Sequence, residues 1–216
     1  MPLDEALKLS QIVFYGIAAI LTVLTYWRAT RGLLNTVFTE YQRCVILRLK
    51  ELSDELFAEF DEDSPKYWAR SDPMKDIVDA INSDFGRARD LIRRSGEFPG
   101  GVLVGSDEHR LSALLNRTKS DPFIPKDLRA AVTDLLDSRL QVLTEVRHQV
   151  LEGYMRDLAK GKHAEDLDSN WNWLHNRVND GLYKRGVGVA QIDIEVHALR
   201  LSIQAYLESY RPSRRR

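Results

Sequence analysis

Cysteine is nearly absent from this chain: Cys44 is the only one among 216 residues. An intramolecular disulfide and a cysteine-based metal site are therefore both excluded, and the composition fits a reducing compartment. Charge of one sign is lacking too, with 31 Lys+Arg set against 32 Asp+Glu. Without bulk basicity, nucleic acid is not an expected partner. Proline is missing from residues 3–64, so nothing there interrupts a helix. Glycine clusters only in EFPGGVLVGSD, residues 97–107. Period-two segments and repeats of 20–50 residues are both missing, which excludes the common β and solenoid architectures.

The motifs of familiar chemistry are missing as well. The Gly-rich stretch SGEFPGGVLVGSDEH (residues 95–109) contains no lysine and no G-K-[ST] ending, so it is not a Walker A loop. It reads as a helix–helix connection, or as a glycine backbone leading into an anion-binding helix start at Ser106, the expected cap. No G-x-S-x-G occurs, and Cys44 has no histidine nearby in sequence to activate it. The histidines (His109, His148, His163, His175, His197) offer no pair at i, i+3 or i, i+4, so no metal site is expected. Asp61, Glu62 and Asp63 read as the solvated end of a helix. No catalytic residue, cofactor or small-molecule ligand is evident, and enzymatic activity is not expected.

What the chain does have is a long run without charge. From Leu9 to Trp27 no side chain is formally charged, and 19 residues of helix reach roughly 28 Å, one hydrocarbon core. The Leu, Ile, Val and Phe side chains of this run contribute roughly −3 to −5 kcal/mol on an insertion scale. Tyr26 and Trp27 stand where an interfacial aromatic belt belongs, directly before Arg28 and Arg31. A soluble core helix is the first competing reading. A cleaved signal peptide is the second, but MPLDEALK is not a basic n-region and no A-x-A-like site follows. The expectation is a transmembrane helix over 9–27. Lys8 on one flank against Arg28, Arg31, Arg43 and Arg48 on the other places residues 1–8 outside and the remainder in the cytoplasm, in the cell (inner) membrane.

Beyond the run, Leu34, Phe38, Tyr41, Val45, Leu49, Leu52, Leu56 and Phe60 recur every three or four residues. This spacing predicts an amphipathic stalk over 28–62, continuous with the span. Residues 65–210 then read as a helical bundle. Its second helix begins at Asp72–Pro73, carries Met74, Ile77, Ile81, Phe85, Ala88 and Ile92, and ends at Gly96. A long helix runs from Leu128 to Leu158, and another carries Leu167, Trp171, Leu174 and Val178. The last has a heptad seam of Val189, Ile192, Val196, Leu199, Ile203, Tyr206 and Tyr210, with Ile194, Leu201 and Leu207 off it. The fold class expected is all-α: anchor, stalk and cytoplasmic bundle.

Two surface features suggest partners. In NWNWLHNR, Trp173 points away from the apolar stripe with Asn172 and Asn176 beside it, which suits either a partner site or packing on a neighbouring helix. The tail over 211–216 carries Arg211, Arg214, Arg215 and Arg216 past Pro212, a disordered segment suited to anionic lipid, to a protein partner or simply to solubility. The functional expectation is a single-pass, membrane-anchored helical protein acting by self-association or partner docking, its partners being the bilayer and a second copy or another protein. An oligomeric pore-forming or membrane-perturbing effector, and an enzyme with a hidden helical site, are the alternatives.

Overall fold

The computed structural model describes residues 3–70, 72–98 and 101–209. Among them every regular element is a helix and there is no strand. The elements are α1 (Leu3–Phe57), α2 (Pro73–Ser95), α3 (Ser106–Lys119), α4 (Lys126–Ala159), α5 (Asn170–Lys184) and α6 (Val189–Ser209), with a short 3-10 turn at Leu167–Ser169 before α5. The chain divides into two compact units, Met1–Leu47 and Arg48–Arg216, and the division falls inside α1.

The first unit is a helix whose apolar surface is uncovered. With no proline to break it, α1 runs unbroken through 55 residues, about 80 Å. Ile12 is 71% exposed, Phe14 69% and Trp27 59%, and no residue between them is buried among the described residues. Its threonine hydroxyls are bonded back onto the helix itself. The Thr22 hydroxyl donates to the Ala18 carbonyl (2.8 Å) and that of Thr25 to the Leu21 carbonyl (2.7 Å). Thr30, Thr36 and Thr39 repeat the bond to the residue four positions back. Among the described residues one helix is thus long and apolar enough to cross a membrane.

The second unit is built around α4. This helix packs against α2, α3, α5 and α6, which explains why it buries residues on more than one face. Its second half carries Leu151, Tyr154 and Leu158, which pack with Ile77, Ile81 and Phe85 of α2 and Leu174 and Val178 of α5. The first half carries Leu136, which with Leu56, Leu111, Ile192 and Val196 surrounds a small void of about 20 Å³. The last turns of α1 belong to this unit, where Leu49, Leu52 and Leu56 are buried at spacings of three and four. Each such leucine contributes about 1.5–3 kcal/mol by leaving water.

Local signals set the helix ends. Asp72 is extended (φ −113°, ψ 94°), and its carboxylate accepts the Met74 N–H at 3.0 Å with Pro73 opening α2. Gly96 closes α2 in the left-handed region (φ 71°), and its N–H reaches the Ile92 carbonyl at 2.8 Å. At α3 the cap is Gly105 rather than Ser106. A side chain at position 105 would collide with the Arg147 guanidinium, so close approach selects glycine there. Lacking a side-chain oxygen, Gly105 supplies only the return half of a capping box, its N–H donating to Glu108 Oε2 at 2.7 Å. The α3 start is therefore supplied with acceptors by its own carboxylates.

Candidate functional site

The polar features of the second unit converge on one cleft. The loop after α1, the starts of α2, α3 and α6, the middle of α4 and one face of α5 line a cavity of about 160 Å³. Three ionic groups sit in its walls.

The first centres on Glu59, which is nearly buried in the loop after α1. Its carboxylate accepts from Arg110 of α3 and pairs with Arg139 of α4 at 2.7 Å. Its backbone carbonyl accepts the Trp68 N–H at 3.0 Å, which folds the loop back and sets Trp68 on the cleft wall. Lys66 lines the same place. A second cavity of about 310 Å³ shares Glu59, Lys66 and Arg110 with the first and adds the pair of Arg117 with Glu55.

The second group joins α4 to α3. Arg147 is buried and holds Asp107 through two parallel hydrogen bonds while also donating to Glu108 at 2.7 Å. Burial alone would lower the Arg147 pKa, yet the hydrogen bonds and charges of Asp107 and Glu108 hold it above the ordinary value. Burial likewise works to raise Asp107, and the Arg147 guanidinium outweighs it and holds the carboxylate below the ordinary value. One donor, Arg147 Nε, is buried with no hydrogen-bond partner.

The third group pairs α5 with the start of α2. His175 Nδ1 lies 3.0 Å from Asp72 Oδ2, and its Nε2 lies 2.7 Å from the Asn179 amide nitrogen. With that amide donating, Nε2 is the acceptor and Nδ1 carries the proton toward Asp72. This is an orienting pair whose second nitrogen is already engaged. The residues lining the cavity include one serine, Ser106, and no cysteine.

The sequence-predicted sites fall elsewhere. Trp173 is not an exposed anchor: it is half-buried, edge-on to Tyr154 at 6.0 Å and 5.2 Å from the His163 ring, with Nε1 donating to Asn170 Oδ1 at 3.1 Å. The segment after α4 approaches it through His163, so Trp173 packs within the unit, one of the two readings of its position. Asn172 and Asn176 are exposed on α5. Tyr26, Trp27 and Arg28 are exposed on α1, while the Arg31 side chain lies outside the described residues, as do Arg211, Arg214, Arg215 and Arg216. Among the described residues no group of three or more His, Cys, Asp or Glu side chains is placed to hold a metal ion.

The sequence did carry a signal for the cleft. Arg147 follows Leu143 by four positions and precedes Leu151 by four, so a cation stands on the buried side of an apolar stripe. Such a residue demands carboxylate partners, and Asp107 and Glu108 provide them. Nothing local singled out Glu59, which lies beside the acidic run at Asp61–Asp63. No protein-family model, curated protein or solved structure matches this chain.

Proposed function

We propose that this chain is a single-pass membrane protein that presents a helical recognition unit at the cytoplasmic membrane face and acts by self-association or partner docking rather than by turnover. The observation that carries the reading is the exposed apolar surface of α1 between Ile12 and Trp27. A stretch from Leu9 to Trp27 without a charge, with its large apolar side chains from Ile12 onward more than half exposed, would be strongly unfavourable in water. The threonine hydroxyls bonded back to their own helix suit a medium with no water to bond. Tyr26 and Trp27 then serve as the interfacial belt, and the arginine-rich flank orients the recognition unit inward.

Docking is favoured over chemistry because the carboxylates Glu59, Asp72 and Asp107 of the cleft are each engaged by a cation or an imidazole. Self-association is supported by α6, where Ile194 and Leu201 are 70% and 65% exposed one heptad apart. The test is alkaline extraction of membranes expressing the full chain, followed by thiol crosslinking through Cys44. Retention in the pellet together with a crosslinked dimer is the expected result. Release into the supernatant would remove the membrane reading, and a strictly monomeric species in mild detergent would remove self-association.

A further inference from the structure

The Glu59 end of the cleft holds more positive charge than its own structure needs. Arg110 and Arg139 both pair with the single carboxylate of Glu59, and Lys66 lines the same cavity. Across the shared wall, Arg117 and Glu55 pair with each other and leave that surplus unchanged. Lys66 has no ion-pair partner among the described residues, although it lines both cavities. A guanidinium carries five donors, so two of them cannot be satisfied by one carboxylate, and the remainder are open to water or a ligand. The opposite end of the cleft has the reverse balance, with Arg147 facing Asp107 and Glu108, and His175 facing Asp72. The cleft is therefore polarised, and an anion entering it is directed to the Glu59 end.

An aromatic wall stands beside that end. Trp68 is 51% exposed, lines the same cavity and lies against Tyr67 with ring centroids 5.7 Å apart. Because its backbone N–H is bonded to the Glu59 carbonyl, the indole is tied to the same residue that gathers the arginines. A flat surface and a cationic seat are thus held at a fixed separation by one short loop. The cavity of about 160 Å³ is too small for a whole nucleotide, so with the phosphate seated inside, the ring lies on Trp68 at the wall.

We propose that this cleft binds a small phosphorylated molecule carrying a planar ring, of the nucleoside monophosphate class. Its phosphate is received by Lys66, Arg110 and Arg139, and its base stacks on Trp68. The inference goes beyond the membrane reading and does not depend on it, since the cleft lies wholly within the second unit. It is tested with the full chain in detergent micelles by calorimetric titration with AMP, adenosine, inorganic phosphate and glycerol 3-phosphate. AMP should bind saturably, phosphate and glycerol phosphate should compete with it more weakly, and adenosine should not compete. Lys66→Ala and Trp68→Ala should each weaken AMP by about tenfold or more while the circular dichroism and melting of the chain stay unchanged, because both side chains are exposed. Lys75→Ala, on α2 and outside the cavity lining, should leave binding unchanged. Absence of saturable AMP binding at millimolar concentration would overturn the proposal, as would affinity unaltered by Lys66→Ala. Equal affinity for glycerol phosphate and AMP would overturn the role of the ring.

Discussion

Arg147 of α4 grips Asp107 of α3 in a parallel, two-bond arrangement, Nη1 to Oδ1 at 2.9 Å and Nη2 to Oδ2 at 2.6 Å. The same guanidinium rests against Gly105, the residue that begins α3, so one side chain fixes where that helix starts and how it meets α4. Arg147→Met should destabilise the chain by about 3–5 kcal/mol, since it leaves the buried Glu108 and the half-buried Asp107 as uncompensated carboxylates. Arg147→Lys should recover only part of this, because an ammonium cannot make the paired bonds. Denaturant unfolding followed by circular dichroism checks both, and a loss below 1 kcal/mol for the methionine variant would contradict the role assigned here.

Acid should loosen the same joint. The folded-state pKa of Asp107 lies below its ordinary value of 3.8 because Arg147 holds the charged form. A carboxylate lowered on folding contributes stability that is fully present above the unfolded value and is lost as pH falls through the folded one. The chain should therefore lose stability as pH drops below about 4, and Asp107→Asn should flatten that part of the profile. The check is a melting-temperature series across acid pH. An identical acid slope in the asparagine variant would contradict the assignment.

Tyr154 is the centre of a second buried arrangement. Its hydroxyl donates to Asn82 Oδ1 at 2.6 Å and accepts from Asn170 at 3.0 Å, while Asn170 also receives the Trp173 indole N–H. Burial raises the Tyr154 pKa, against the opposing pull of these amides. Tyr154→Phe should cost about 1–3 kcal/mol, because two amides lose a partner where water is scarce. The near-ultraviolet spectrum should change with it, since Trp173 is positioned by Asn170. A variant as stable as the parent would show that water replaces the hydroxyl freely.

The proposed span carries its own prediction. Leu21 lies near the middle of the chargeless run and is 58% exposed on α1. Leu21→Arg should raise the cost of insertion by about 2.5–3.5 kcal/mol and shift the chain out of the alkaline-resistant membrane pellet. The second unit should fold as before, because position 21 lies outside it. If the arginine variant stayed fully in the membrane and the parent did not depend on this stretch, the span would lie elsewhere.

How much could be read beforehand depends on the range of the interaction. The α2 stripe of Met74, Ile77, Ile81, Phe85 and Ile92 is buried as its spacing implied, with Asp72 and Gly96 at the ends. Those features need only neighbours three or four positions away. The position of Trp173 suited either a partner site or packing on a neighbour, and it packs against Tyr154 and His163, because its angle on α5 says nothing about the segment after α4 that approaches it. The α6 seam is partly buried, at Ile192, Val196 and Ile203, while Ile194 and Leu201 remain open.

The amino-acid sequence by itself determined the all-helical character, the long apolar α1 and the faces along which α2 and α4 pack, because each follows from local periodicity and from the absence of proline and charge. Only the tertiary structure decided that Glu59 meets Arg110 and Arg139, that Arg147 meets Asp107, and that His175 meets Asp72. A charged residue can satisfy itself in water or against any opposite charge, so its partner is fixed only when packed helices bring distant positions within bonding reach.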